Sequence, residues 1–256
     1  MIEGMRLNTG ALIPAMGLGT SYVRAEETVE SIKNALSIGY RLIDTATMYG
    51  NEAPIGQGIR ESGVPRDDIF LSTKLWPDDF NDPEAALEAS LQRLGSAYVD
   101  MYLIHWPRGM QPHVWKALEG FARDGRARNI GVCNFSIEEI EALLSYCEIE
   151  PAVNQIPFNP FSFDPLLKEY CASKGILVEG YKPLTRKEHI ADPALARIAE
   201  NYGKTPAQIL IRWNIQHGVI PIPRSIHPGR LRENFDVFDF QITVDDMQKL
   251  DSLRRI

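Results

Sequence analysis

Residues 41–46 read RLIDTA, a short apolar run that has the length of a β-strand and carries an aspartate near its end. Runs of the same kind begin near Met16 (MGLG), Phe70 (FLSTKL), Val99 (VDMYLIH), Ala127 (ARNIGVC), Ala152 (AVNQIPF), Ile176 (ILVEGY) and Val219 (VIPIPR). Counted from Met16, successive runs begin 25, 29, 29, 28, 25, 24 and 43 residues apart. A strand and its returning helix take about 30 residues, so the spacing predicts eight βα units.

The segments between these runs have helical periodicity and typical helix-start residues. Asp82 precedes AALEASLQRL, Ser136 precedes IEEIEALL, and Asp164 precedes LLKEYCAS. The longest gap holds two helical segments, residues 192–201 and 205–217. Alternating strands and helices form either a closed barrel or an open doubly wound sheet. The even spacing favours an α/β fold of the (β/α)₈ TIM barrel type.

A short hairpin is predicted before the first barrel strand. Residues 5–7 (MRL) and 11–13 (ALI) flank Asn8-Thr9-Gly10, a sequence typical of a tight turn between two strands. We expect this N-terminal β-hairpin to cap the bottom of the barrel. Residues 1–256 are predicted to form a single domain, since barrels of this kind often run to about 250 residues.

The charge balance is acidic, with 27 basic against 34 acidic residues and a formal net charge of −7. A binder of nucleic acid or anionic membranes needs a basic face, so neither partner is expected. The start of the chain lacks a signal-peptide pattern, and no window approaches about 18 apolar residues. We therefore expect a cytoplasmic monomer that does not bind membranes. The three cysteines are 14 and 24 residues apart, which indicates reduced thiols and no metal site.

Polar residues fall at the carboxyl ends of seven predicted strands, where TIM barrels assemble their active sites. Because barrel strands are buried on both faces, these residues need an explanation. They are Asp44 with Tyr49 just beyond it, Lys74, His105, Asn134, Gln155, Tyr181, and Arg224 with Ser225. No charged residue stands at the matching ends of the first and seventh strands.

Each titratable residue in this set also has a structural interpretation. Asp44 and Lys74 are compatible with a buried ion pair, His105 with a hydrogen-bonded core histidine, and Tyr49 with an ordinary loop tyrosine. Their concentration at one end of one barrel favours the catalytic interpretation.

The chemistry of the set predicts proton delivery to a carbonyl oxygen. An ammonium beside Tyr49 stabilises tyrosinate and lowers the pKa of the phenol, and Lys74 can provide it while Asp44 keeps Lys74 charged. His105 can hydrogen-bond the oxygen that Tyr49 protonates. Because side chains cannot donate hydride, a nicotinamide or flavin must supply it.

The residues around these positions resemble the aldo-keto reductase family. The matching stretches are residues 17–20 (GLGT), 42–46 (LIDTA), 49–52 (YGNE), 72–74 (STK), 103–107 (LIHWP), 131–135 (GVCNF), 153–155 (VNQ) and 222–225 (IPRS). The resemblance implies a (β/α)₈ barrel that reduces aldehydes and ketones to alcohols with NADPH. It assigns the catalytic tetrad to Asp44, Tyr49, Lys74 and His105, with Tyr49 as the acid.

The resemblance also implies a set of cofactor-binding residues. By position these are Gly19, Thr20, Asn134, Gln155, Tyr181, Lys182, Leu184, Arg224, Ser225, Arg230, Glu233 and Asn234. Asn134 and Gln155 match residues that hold the nicotinamide carboxamide, and Tyr181 matches the aromatic residue that stacks on the ring. Arg224, Ser225 and Arg230 match the group around the 2′-phosphate, so NADPH is expected to be preferred over NADH.

The sequence departs from the family pattern near the substrate pocket. Cys133 stands where serine usually precedes Asn134, and the loops after His105 and after the last helix are short. We expect an open pocket, walled by Tyr22, Trp76 and Trp106, that accepts varied small carbonyl compounds.

Other readings remain open at this point. The same barrel can serve as an NADPH-binding regulatory or sensor protein without significant turnover, or Lys74 can form a Schiff base in an isomerase or lyase. Residues 170–174 (YCASK) also fit the YxxxK motif of short-chain dehydrogenases. Without the glycine-rich turn of that family, we interpret them as a surface helix.

Overall fold

Eight parallel strands form one sheet in the computed structural model, which describes residues 4–185 and 187–254. The strands are β3 (Leu18–Gly19), β4 (Leu42–Asp44), β5 (Phe70–Leu75), β6 (Met101–Ile104), β7 (Ile130–Cys133), β8 (Val153–Pro157), β9 (Leu177–Tyr181) and β10 (Val219–Pro221). They pair in chain order from β3 to β10. The predicted run of eight strands is confirmed.

Backbone hydrogen bonds between the first and last strands close the sheet. The Gly17 N–H donates to the Pro221 carbonyl at 3.0 Å, and the Gly19 N–H donates to the Pro223 carbonyl at 3.1 Å. A Cβ at Gly19 would lie 2.8 Å from the carbonyl oxygen of Ile222, so a side chain there would push the two strands apart. The fold is a (β/α)₈ barrel.

Helices follow the strands and surround the barrel. They are α1 (Ala25–Ile38), α2 (Glu52–Glu61), α3 (Pro83–Leu94), α4 (Pro112–Asp124), α5 (Ile137–Leu144), α6 (Pro165–Ser173), α7 (Lys187–Ile190), α8 (Pro193–Tyr202), α9 (Pro206–Gln216), α10 (Pro228–Phe235) and α11 (Val244–Asp251). The predicted helix starts are confirmed: the side chains of Asp82, Ser136 and Asp164 accept hydrogen bonds from first-turn N–H groups. The long gap contains α8 and α9 as predicted, preceded by the short α7.

The predicted hairpin pairs β1 (Gly4–Arg6) with β2 (Leu12–Pro14). Leu7 and Ile13 pack against apolar side chains that fill the barrel lumen, namely Leu42, Phe70, Met101, Leu103, Val153, Ile220 and Ile222. Because several of these come from the starts of their strands, the hairpin closes the amino end of the barrel. A ligand that binds in the lumen would therefore have to enter from the carboxyl end.

A second, larger apolar cluster lies between the barrel and its helices, with Trp115, Trp213 and Tyr102 among its largest fully buried side chains. Residues 170–174 lie in and just after α6, as expected for a helix. No helix in the described part of the chain has the length and apolar character needed to cross a membrane.

Candidate active site

A buried ion pair lies near the carboxyl end of the lumen. The Lys74 ammonium on β5 donates to both Asp44 oxygens at 2.6 and 2.7 Å and to the Thr45 carbonyl at 2.7 Å. Lys74 is 0% exposed and Asp44 2%. Burial lowers the pKa of Lys74, but Asp44 and Tyr49 raise it more, so the net shift is upward. The ammonium is held charged and fixed in place.

Tyr49 and His105 lie beside this ion pair. The Lys74 nitrogen is 5.3 Å from the centre of the Tyr49 ring. The His105 ring meets the Tyr49 ring edge-on with centres 5.7 Å apart, and it meets the Trp76 ring in the same way at 5.0 Å. Tyr49 ends a 3₁₀ turn (Thr47–Tyr49) just after β4, whereas His105 directly follows β6. The structure thus brings together the four residues that sequence analysis placed in one tetrad.

The pKa of Tyr49 differs from the sequence-based expectation. Burial raises the pKa of the phenol, and although the Lys74 charge lowers it, the net direction is upward. The expectation of a lowered pKa for Tyr49 was wrong because spacing in the sequence does not reveal how much water the fold removes from the phenol. Tyr49 therefore holds its proton at neutral pH.

His105 is neutral over the physiological range. Burial, with a further contribution from the Lys74 charge, lowers the pKa of the imidazole to about 3. Its Nδ1 is buried and has no hydrogen-bond partner among the described residues. The ring is therefore a neutral hydrogen-bonding group and does not act as a cationic acid.

Glu179 on β9 is a buried carboxyl group that the sequence analysis overlooked. It lies two residues before Tyr181, is 1% exposed, and faces the lumen beside Gln155. Gln155 Nε2 donates to Glu179 Oε2 at 2.8 Å and to Asp44 Oδ1 at 2.9 Å. Burial, reinforced by the Asp44 charge, raises the pKa of Glu179 to about 8. The available signal was an acidic residue inside the apolar run ILVEGY.

Asn134 and Tyr181 form a second polar link at the same end. The Tyr181 hydroxyl donates to Asn134 Oδ1 at 2.8 Å, and Asn134 Nδ2 donates to the His105 carbonyl at 3.1 Å. The Lys182 nitrogen lies 5.6 Å from the centre of the Tyr181 ring. Gln155, Asn134 and Tyr181 thus offer hydrogen-bonding groups and a half-buried ring at the mouth of the barrel, which suit a nicotinamide carboxamide and its ring.

Two arginines lie beyond β10. Arg224 and Arg230 are both exposed, and neither pairs with a carboxylate in the described part of the chain. Arg224 instead donates to the Ser21 carbonyl at 2.9 Å. Guanidinium groups without acidic partners are available to bind an anion such as a phosphate.

The other residues assigned to the cofactor are spread along the same rim. Asn234 and Ser225 are buried, Glu233 accepts from the Thr205 hydroxyl at 2.7 Å, and Leu184 packs on the outer core. Thr20 is 2% exposed, and its hydroxyl donates to the Asp44 carbonyl at 2.9 Å. The Thr20 side chain thus ties β3 to β4.

The residues assigned to the substrate pocket differ in exposure. Trp76 is partly buried against His105, Trp106 is 41% exposed, and Tyr22 is 89% exposed. The Tyr22 ring lies 5.9 Å from the Arg224 guanidinium carbon. Tyr22 therefore borders the site at its outer edge and Trp76 at its inner edge.

Backbone strain is concentrated in the loops at this end. In the described residues, four that are not glycine have a positive φ: Tyr22, Asn134, Lys182 and Thr185. All four follow barrel strands, namely β3, β7 and β9. Such conformations cost of order 1–3 kcal/mol each and are frequent at functional sites.

A buried ion pair lies beside a protonated tyrosine at the carboxyl end of the barrel strands. This arrangement is typical of TIM-barrel enzymes that transfer a proton to or from a substrate. The aldo/keto reductase family model matches residues 14–255, and the chain belongs to that family. Members are NADP-dependent oxidoreductases, and this chain is accordingly an NADP-dependent carbonyl reductase.

Known relatives cover nearly the whole chain. The glyoxal reductase of Bacillus subtilis is 43% identical over 257 residues, covering 99% of this chain and 93% of that protein. The methylglyoxal reductase DkgA of Yersinia pestis is 41% identical over 260 residues, covering 98% and 94%. The crystal structure of a Bombyx mori aldo-keto reductase in complex with NADP superimposes with a TM-score of 0.92 at 34% identity, covering 99% of this chain and 93% of that one.

Proposed function

We propose that Tyr49 is the acid that protonates the substrate carbonyl oxygen, with Lys74 and Asp44 controlling its charge and His105 orienting the substrate. One observation carries this assignment: the buried Lys74 ammonium lies 5.3 Å from the Tyr49 ring and is held by Asp44. Burial keeps the phenol protonated at rest, and the fixed ammonium stabilises the phenolate that forms when the proton leaves. His105, as a neutral imidazole, hydrogen-bonds the carbonyl oxygen.

The bound cofactor supplies the hydride that reduces the carbonyl carbon. We propose that Gln155 and Asn134 hold the nicotinamide carboxamide and that the Tyr181 ring packs on the nicotinamide. Arg224 and Arg230 bind the 2′-phosphate, where each charge-assisted hydrogen bond is worth about 1.5–3 kcal/mol. Gly19, Lys182, Leu184, Ser225, Glu233 and Asn234 line the remaining rim. Thr20 supports this rim by holding Asp44 in register.

We propose that the substrates are varied small aldehydes and ketones, including dicarbonyl compounds such as methylglyoxal and glyoxal. The names of the relatives support this class. The wall residues Tyr22, Trp76 and Trp106 leave the site open, and only residues 105–111 separate β6 from α4. A panel of carbonyl compounds assayed with NADPH tests the range. A steep preference for one compound would contradict it.

Replacing Tyr49 with phenylalanine tests the assignment of the acid. Tyr49→Phe removes only the hydroxyl, so kcat should fall by about 10²–10⁴ while NADPH still binds. The assay follows NADPH absorbance with methylglyoxal, and NADPH binding is measured separately by fluorescence. A variant that keeps most of its turnover would remove Tyr49 from the role. A wild-type protein that binds NADPH without turnover on the panel would instead favour the regulatory or sensor function.

Removing the two arginines tests the 2′-phosphate site. The double variant Arg224→Ala/Arg230→Ala should raise the Kd for NADPH by about tenfold or more and leave that for NADH nearly unchanged, because only NADPH carries the phosphate. Fluorescence titration of both cofactors measures the ratio, and exposed Arg108→Ala on the loop after β6 is a control for lost surface charge. An unchanged ratio would place the phosphate elsewhere.

We also propose that residues 1–256 act as one unit, as a monomer in the cytoplasm. The three cysteines, Cys133, Cys147 and Cys171, are free thiols, as suits a reducing compartment. Size-exclusion chromatography with light scattering tests the monomer, and cell fractionation tests the location. A mass near twice 28.8 kDa would indicate a dimer.

A further inference from the structure

The amide of Gln155 is held by two acidic residues at once. One Nε2 hydrogen goes to Asp44 Oδ1 at 2.9 Å and the other to Glu179 Oε2 at 2.8 Å. All three side chains are at most 3% exposed. Since a primary amide carries two N–H groups, both are used, and the plane of the amide is fixed.

The carbonyl oxygen of the Gln155 amide is left free. Among the residues that the structure describes, none donates a hydrogen bond to Gln155 Oε1. Gln155 and Glu179 are paired in register, and Tyr181 follows Glu179 on the same face of β9, one layer closer to the open end. The free carbonyl oxygen thus belongs to a residue one layer deeper in the barrel than Tyr181.

We propose that Glu179 is a positioning residue that orients Gln155 to present a hydrogen-bond acceptor to the N–H group of the nicotinamide carboxamide. This inference rests on the proposed function, in which Gln155 binds that group. The reversed amide would turn its oxygen toward the Asp44 carboxylate, which has no proton to donate, and lose that buried hydrogen bond. The N–H group of the nicotinamide carboxamide would then meet an N–H donor of Gln155 and not an acceptor.

Glu179 is suited to this task because it does not compete for the ammonium. Lys74 donates to Asp44 and the Thr45 carbonyl, and no hydrogen bond joins it to Glu179. Either oxygen of a carboxyl group, protonated or not, accepts from an amide. Glu179 can therefore hold Gln155 without replacing Asp44 as the hydrogen-bond partner of Lys74.

The test compares two cofactors that differ at the carboxamide. In the 3-acetylpyridine analogue of NADPH, a methyl group replaces the NH₂, so it cannot donate to Gln155 Oε1. Dissociation constants for both are measured on the apo protein by quenching of its tryptophan fluorescence. Wild type should prefer NADPH. Glu179→Met, similar in size but without an acceptor, should reduce that preference about three- to tenfold, whereas Glu179→Gln, which keeps an acceptor oxygen, should retain it.

Two further variants keep the test decisive. Ser72→Ala is the matched control and should leave the preference unchanged. The Ser72 hydroxyl is also buried on the lumen face, and no other described residue forms a hydrogen bond with it. If Glu179→Met does not fold, Glu179→Asp tests the same link, because its shorter side chain withdraws the acceptor from Gln155 and should reduce the preference. An unchanged preference in the folded variant, or an equal loss in Glu179→Gln, overturns the proposal.

The outcomes distinguish a failure of the role proposed for Glu179 from a failure of the proposed function. If wild type binds no NADPH, the proposed function itself fails. If wild type binds and oxidises NADPH while Glu179→Met keeps the full preference for the carboxamide, only the role of Glu179 is lost.

Discussion

Strand β5 meets two buried carboxylates, one on each of its faces. Lys74 points into the lumen and pairs with Asp44, whereas its neighbour Thr73 points toward the helices and donates to Glu52 at 2.7 Å. Glu52 is 1% exposed and also pairs with Arg93 at 2.7 Å. The two carboxylates are alike in burial and in the shortness of their hydrogen bonds, whereas the Arg93 side chain is 39% exposed and Lys74 is fully buried.

The two clusters differ in the second side chain that lies beside the cation. Lys74 adjoins Tyr49, a group that can release a proton at the open end of the barrel. Arg93 continues to the Ser90 hydroxyl at 3.1 Å, which does not titrate in the ordinary range. A buried carboxylate paired with a cation therefore does not by itself mark an active site. The distinguishing feature is a proton-bearing neighbour that a ligand can reach.

Neutralising the carboxylate in the lumen should have the largest effect. Asp44→Asn leaves the buried Lys74 ammonium without its counterion, which lowers the pKa of Lys74 and favours loss of its proton. A neutral Lys74 no longer stabilises the phenolate of Tyr49, so kcat should fall by about 10²–10³. Steady-state assay with methylglyoxal measures it, and circular dichroism confirms the fold. A decrease in kcat of less than tenfold would show that the Lys74–Asp44 pair is no more important for catalysis than the Arg93–Glu52 pair.

Glu179 should make stability depend on pH on the lumen side. Its pKa is raised to about 8 from an ordinary value of about 4.3. Between these values the folded state keeps a proton that the unfolded state releases, so stability falls as pH rises, by at most about 1.4 kcal/mol per pH unit. Glu179→Gln has no ionisable group at this position and lacks this pH dependence. Its Tm relative to wild type should therefore rise between pH 5 and pH 8 in thermal melts; a constant difference would show that Glu179 ionises normally.

A substitution in the cluster of Thr73, Glu52 and Arg93 should change the stability of the protein and not its turnover. Glu52→Gln removes the charge that holds Arg93, and urea unfolding should show a loss of about 1–3 kcal/mol. Because Glu52 lies behind β5, kcat with methylglyoxal should stay within about twofold of wild type. A loss of turnover comparable to that of Asp44→Asn would mean that the two faces of β5 act as one site.

The sequence predicted the barrel, its hairpin and the grouping of the tetrad because these depend on strand spacing and residue type. Eight runs at mostly even intervals favoured a closed barrel over a doubly wound sheet, and residues at the carboxyl ends of its parallel strands lie at one end of the barrel. The hairpin followed from a turn sequence between two short apolar segments.

What the sequence did not provide depends on packing. The upward shift at Tyr49 results from lost hydration, which only the folded environment sets. Glu179 was missed because it lies in the middle of a strand and not at its end, and only register shows that it faces Gln155. Thr20 belonged to a matching motif, but the structure turns its hydroxyl toward the backbone of β4.

The four strained residues at the rim have a consequence for attempts to engineer this protein. Exchanging Tyr22, Asn134, Lys182 or Thr185 for glycine would relieve an unfavourable φ at each position. Two of them carry roles in the proposed cofactor site, and Tyr22 borders the pocket. A campaign that selects only for heat resistance would be drawn to the same few loops that hold the ligands, so thermostability and catalysis would compete for the same residues.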